Sequence, residues 1–110
     1  MAKKKTIEKD IEEYLGKRAK EEDAIYFKFV SPGNSGVPDR ILIVKGYTIF
    51  IELKAPGETT RDLQTETIKK MRRRGATVFV FDNKEQIDEL FFNIKHNKPI
   101  NDNTKKGASV

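Results

Sequence analysis

The chain has 110 residues, of which 36% are hydrophobic and 35% charged, with 22 Lys and Arg against 17 Asp and Glu. That is one domain, 1–110, with enough apolar residues for a single core and no apolar run long enough to span a bilayer. The absence of cysteine excludes disulfides, thiolate zinc sites and cysteine nucleophiles, and a single histidine, His96, leaves no histidine metal site or Ser–His triad.

Metal chemistry is thereby left to oxygen ligands. The net charge of +5 favours a polyanionic partner. No secretory apolar region follows Met1, so the chain is expected in the cytoplasm, that of a host cell if it is viral. Residues 1–5 read as a flexible basic lead-in. From Thr6, a fair N-cap, to about Lys20, the apolar residues Ile7, Ile11, Tyr14 and Leu15 recur at helical spacing. Glu8 borders that stripe, while Glu12 lies further round and Glu13 and Lys17 point to solvent. Either of the first two is an ordinary helix acid or a carboxylate reaching into a site beside the core, with Glu8 the better placed.

Ala24–Val30 alternates as a strand, with Ile25, Phe27 and Phe29 on one face and Tyr26 and Lys28 on the other. Lys28, just before the loop, is a candidate phosphate contact. In the turn-rich segment Ser31–Pro38, Pro38 forces Val37 extended, and Gly36 would let backbone approach a phosphate. Two apolar runs follow, Ile41–Val44 and Ile49–Leu53, separated by Lys45-Gly46-Tyr47. They form a hairpin. If Lys45-Gly46 is a two-residue loop, Val44 faces Tyr47, Ile41 faces Phe50 and Asp39 faces Glu52. A three-residue loop puts Asp39 diagonal to Glu52 instead. With side chains alternating, Lys54 shares the face of Glu52.

Two carboxylates and an ammonium at one spot are costly to bury unless a cation joins them. Mg²⁺ prefers one or two carboxylates with water and phosphate oxygens, and Lys54 beside it could orient a water or stabilise charge on a phosphate. The bland alternative is a surface Glu–Lys pair on an edge strand. Against it, Glu52 interrupts a run that is apolar on both faces.

After the loop Ala55–Glu58, Thr59 or Thr60 caps a helix that runs to about Arg74 and stops at Gly75. Leu63, Thr67, Ile68 and Met71 form its inner face, and Gln64 projects into that face near the acidic pair. Arg72, Arg73 and Arg74 suit the negative helix end, with Arg72 and Arg73 as candidate phosphate contacts. Thr77–Phe81 reads as a strand apolar on both faces, as at a covered sheet centre. Asp82 or Asn83 caps a last helix, about Lys84–Ile94, with Ile87, Leu90, Phe91 and Ile94 buried. Beyond it, 96–110 reads as a polar, flexible tail. The order α-β-β-β-α-β-α gives an α/β fold, a mixed sheet flanked by helices.

Pro38-Asp39 followed thirteen residues later by Glu52-Leu53-Lys54 resembles the PD-(D/E)xK nuclease signature. Gly36-Val37-Pro38-Asp39-Arg40, Phe50-Ile51-Glu52-Leu53-Lys54-Ala55 and Gln64 resemble the VRR-NUC branch of that superfamily, over about Thr6–Leu90. The resemblance implies a restriction-endonuclease-like core and an Mg²⁺- or Mn²⁺-dependent DNA endonuclease. It implies Asp39, Glu52 and the Leu53 backbone carbonyl as metal ligands, Glu8 as a helix glutamate assisting them, and Lys54 and Gln64 as further catalytic groups. Arg40 joins Lys28, Gly36, Arg72 and Arg73 as a candidate DNA contact. Stand-alone relatives suggest a homodimer cutting branched DNA such as Holliday junctions, and Tyr47 and Phe92 are candidate interface aromatics. A non-catalytic nucleic-acid-binding module and an RNA-directed nuclease are the rival readings.

Overall fold

A computed structural model describes residues 2–101, with side chains from Glu8 onward. Its elements follow the expected order: α1 (Ala2–Glu21), β1 (Ile25–Lys28), β2 (Arg40–Val44), β3 (Tyr47–Leu53), α2 (Asp62–Arg73), β4 (Thr77–Phe81) and α3 (Lys84–Lys95). The strands form one sheet in the order β1-β2-β3-β4. The first three run antiparallel, and β4 joins β3 in parallel after the α2 crossover.

The hairpin takes the two-residue loop. Val44 pairs with Tyr47 and Ile41 with Phe50, because Lys45 (φ 47°) and Gly46 (φ 86°) both adopt the left-handed region that a tight right-twisted hairpin requires. Lysine is a poor residue there. Lys45→Asn is expected to stabilise the fold by about 0.5–1 kcal/mol, part of the roughly 1–2 kcal/mol cost of that region. Thermal or urea unfolding checks this, and no gain would mean that the turn relaxes without the substitution.

Alternation along the strands builds two faces. On one, Leu42, Val44, Ile49, Ile51, Leu53, Phe79 and Phe81 meet Ile11, Leu15 and Ala19 of α1 and Ile87, Leu90, Phe91 and Ile94 of α3. Each such buried aliphatic side chain contributes about 1.5–3 kcal/mol. On the other, α2 sets Ile68 against Val78 and Val80, with Phe50, Met71 and Ala76 packed around them. β4 is therefore a sheet edge rather than the sheet centre. Its two-sided apolar pattern arises because helices cover both of its faces. The Arg72 guanidinium donates to the Val78 carbonyl from Nε at 3.1 Å and from Nη2 at 2.5 Å, which shields part of β4.

Helix ends account for several boundary differences. α1 starts at Ala2, not Thr6, since the Ala-Lys-Lys-Lys lead-in has good helix propensity. The place of Ile7 in the buried stripe lies outside the described side chains. Arg61 occupies the N-cap of α2 with no side-chain cap, because the Thr60 hydroxyl is engaged with that of Thr65. At the other end, Gly75 (φ 98°) closes α2 as expected, with Gly75 N–H donating to Arg72 O and Ala76 N–H to Met71 O. Asn83, not Asp82, caps α3, and Gln86 reaches back to complete a capping box. Ile100 packs partly against the core, so 96–101 are not a wholly detached tail. The expectation for 102–110 falls outside the described residues. Among the described residues, no helix is long and apolar enough to cross a membrane.

Candidate active site

The hairpin register carries the acids to one end of the sheet. Arg40 pairs with Ile51, so the next step along both strands sets Asp39 beside Glu52. Asp39 sits at the β2 entrance, where its carbonyl accepts the Phe29 amide at 2.9 Å. The Leu53 backbone amide hydrogen-bonds its carboxylate.

Glu52 is only 4% exposed. One of its oxygens lies 3.3 Å from Lys54 Nζ, and Gln64 of α2 hydrogen-bonds the same carboxyl. Burial first, and then the charge of Asp39, push the Glu52 carboxyl above its ordinary value, while Lys54 and Gln64 pull against them. Asp39 is also raised, chiefly by burial, against Arg40 and the backbone donors. Glu8 is raised by its partial burial, with Lys54 opposing and Asp39 adding to the rise, so α1 does bring it within electrostatic range of the pair.

Among the described residues, three buried oxygens lack a hydrogen-bond partner: Asp39 Oδ1, Glu52 Oε1 and Gln64 Oε1. Buried acceptors left unpaired cost on the order of 1–3 kcal/mol each. Acceptors gathered in this way suit a hard cation. Among the described residues, no three His, Cys, Asp or Glu side chains are grouped closely enough to cage a metal. Glu8 therefore stands outside the Asp39–Glu52 pair, and further ligands would have to be main-chain, solvent or substrate oxygens.

Several expected nucleic-acid contacts prove to be structural. Arg40 is 7% exposed. It donates from Nε to Tyr26 Oη at 3.0 Å and from Nη1 to the Asp39 carbonyl at 2.9 Å, and pairs through Nη2 with Glu12. Its Nη1 also lies 3.5 Å from Asp39 Oδ2. Alternation could have shown this, because Arg40 shares the inward face of Leu42 and Val44. Glu12 is thus the partner of Arg40, leaving Glu8 nearer the site. Gly36 is buried against α2, where a Cβ would stand 2.6 Å from Thr67 Oγ1 and 2.8 Å from the Leu63 carbonyl oxygen. It faces protein, not phosphate. Arg72 is engaged with Val78, whereas Lys28 and Arg73 are exposed, as a phosphate contact requires. Tyr47 completes the core, and Phe92 is exposed but lies against His96 with ring centroids 4.1 Å apart.

No family model matches the chain. Over 79 residues it is 38% identical to the "Putative nuclease p44" of Acyrthosiphon pisum secondary endosymbiont phage 1, taking in 71% of this chain and 85% of that one. Among solved structures it is similar to a VRR_NUC domain, with a TM-score of 0.70 and 27% identity, over 81% of this chain and 95% of the other.

Proposed function

The chain belongs to the VRR-NUC family of nucleases, and from that premise we propose that it is an Mg²⁺- or Mn²⁺-dependent DNA endonuclease that prefers branched substrates. The observation that supports metal dependence is the set of buried, unpartnered oxygens on Asp39, Glu52 and Gln64 beside Lys54. Asp39 and Glu52 would hold the ion, with the Leu53 carbonyl as a further ligand. The ion would supply positive charge against the phosphoryl oxygens of the scissile group.

The remaining work falls to the chain's own groups. Lys54, held 3.3 Å from Glu52, favours the ionised form of that carboxylate and presents N–H donors to water or phosphate. Gln64 donates to Glu52 and keeps its own carbonyl oxygen free to orient a water by accepting a hydrogen bond from it. Glu8, at the border of α1, adds negative field that draws cations towards the pair. Lys28 and Arg73 offer exposed charge to flanking phosphates. Cutting two strands of a junction needs two such sites, so the active species is a homodimer, acting in the cytoplasm, that of a host cell if the chain is viral.

The test is a cleavage panel of duplex, flap, splayed-arm and four-way-junction DNA with a matching RNA, each with Mg²⁺, Mn²⁺ or chelator. Metal-dependent cutting of DNA, fastest on the junction and in paired nicks, is expected. Cutting in chelator overturns the metal assignment. Equal rates on duplex and junction overturn the branched preference, and faster cutting of RNA overturns the DNA assignment.

A further inference from the structure

We propose that Arg40 is a positioning residue of the candidate site, holding the Asp39 carboxylate in the orientation that leaves Oδ1 free for a metal ion. The role rests on the metal dependence proposed above. Asp39 and Glu52 divide their oxygens in the same way. Asp39 Oδ2 lies 3.5 Å from Arg40 Nη1, while Asp39 Oδ1 is buried with no hydrogen-bond partner among the described residues. Glu52 Oε2 lies 3.3 Å from Lys54 Nζ, while Glu52 Oε1 is buried and equally bare. A cation takes one oxygen of each acid, and the other is left for a ligand.

Arg40 differs from a simple counter-ion in how firmly it is itself held. Its Nη1 also donates to the Asp39 main-chain carbonyl at 2.9 Å, so one nitrogen spans the backbone and the carboxylate of the same residue. Nε donates to Tyr26 Oη at 3.0 Å, and Nη2 pairs with Glu12. These partners come from β1 and α1, so elements distant in the chain fix a group beside the site. The Tyr26 ring lies over Gly16 of α1, where an added Cβ would stand 3.4 Å from Cε2. A planar guanidinium presents its donors in a rigid fork, and partners on three of its edges specify one placement.

Charge alone gives no reason for an arginine here. A cation beside the acid pair opposes the approach of a metal ion, and a buried ion pair often stabilises no more than apolar packing of the same size. Glu12 offsets the first cost, because its carboxylate pairs with the other terminal nitrogen of the guanidinium. What the arrangement supplies is orientation. A carboxylate turns about its last bonds unless an outer partner holds it, and carboxylates that ligate metals are hydrogen-bonded from outside for that reason. Arg40 is 7% exposed, so it acts on substrate only through Asp39.

Calorimetric titration of the DNA-free chain with Mn²⁺ is the test. Outer partners of metal ligands are worth about 10–100-fold in metal affinity, so Arg40→Met is expected to weaken Mn²⁺ binding by about that factor. Loss of a cation as such would do the opposite and tighten it. Arg40→Met also strands Glu12, so a second variant, Glu12→Met with Arg40→Met, removes both charges. It is expected to melt close to wild type and still bind Mn²⁺ weakly. Arg18→Met, which breaks the pairs with Glu21, Glu22 and Asp88 further along α1, is expected to melt lower with Mn²⁺ affinity intact. DNA affinity in chelator should be unchanged in Arg40→Met. A double variant that regains Mn²⁺ affinity along with stability overturns the proposal, leaving Arg40 a packing residue. Lost DNA affinity with unchanged Mn²⁺ binding also overturns it and returns Arg40 to the nucleic-acid contacts. A wild type that binds no Mn²⁺ overturns the metal dependence and this role with it. A wild type that binds Mn²⁺, matched or exceeded by Arg40→Met, overturns this role alone.

Discussion

Glu52→Gln is expected to abolish metal-dependent cleavage while sparing both the fold and the binding of DNA. The substitution keeps the shape of a side chain that is 4% exposed and removes the charge that would hold the ion. Altering groups that merely orient metal ligands costs about 10–100-fold, so loss of a ligand charge should exceed a hundredfold. DNA affinity in chelator should hold, because the basic surface is unchanged.

The stability arm of the same experiment has a definite sign. The folded-state pKa of Glu52 is raised, first by burial and then by Asp39. A raised carboxyl contributes stability that is present below the ordinary carboxylate value and is lost as pH rises through the shifted one. The amide that replaces it does not titrate. The melting temperature of Glu52→Gln, without metal, should therefore match wild type in acid and exceed it increasingly towards neutral pH. A variant that is less stable at neutral pH would show that the Lys54 contact outweighs repulsion from Asp39. Cleavage at the wild-type rate would remove Glu52 from the site.

What the sequence made legible follows from how local each constraint is. The hairpin register depended on one loop: period-two alternation put Glu52 and Lys54 on one face, but whether Asp39 faced Glu52 or lay diagonal to it waited on the two-residue turn at Lys45-Gly46. The stripe of α3 was equally plain, because Ile87, Leu90, Phe91 and Ile94 satisfy a single helical period. Gln64 was readable because an amide on an inner face demands a partner, and Glu52 supplies one.

The misreadings concern contacts between elements distant in the chain. Arg40 was a candidate DNA contact, yet the face it occupies is roofed by α1 and Glu12 lies there to meet it. Arg72 looked like part of a basic patch until β4 brought Val78 beneath it. β4 reads as a central strand because apolarity on both faces records cover by helices and not a neighbour on each side. The open flank of β1 was hidden for the same reason. Alternation shows that Ile25 and Phe27 share a face, but how far α2 reaches across that face is not a local property.

Gly36→Ala is expected to destabilise the fold by about 1–3 kcal/mol, the usual cost of an extra carbon forced into packed surroundings. At roughly 4–8 °C per kcal/mol for a domain of this size, the drop in melting temperature should be easily measured. Backbone strain is not the cause, since Gly36 is not among the glycines with positive φ. Space is the cause: the new Cβ would stand 2.6 Å from Thr67 Oγ1 and 2.8 Å from the Leu63 carbonyl oxygen. The hydroxyl belongs to a side chain that can be removed, whereas the carbonyl belongs to the first turns of α2. Adding Thr67→Ala should therefore recover part of the lost stability and not all of it, a coupling that a double-mutant cycle measures directly. Cleavage should fall as well, because Pro38 and Asp39 follow within three residues and Gln64 lies on the same turn of helix that the loop would push away. If Gly36→Ala melts like wild type and loses only DNA affinity, the glycine is there to admit phosphate after all, and α2 yields more easily than its packing against the loop implies.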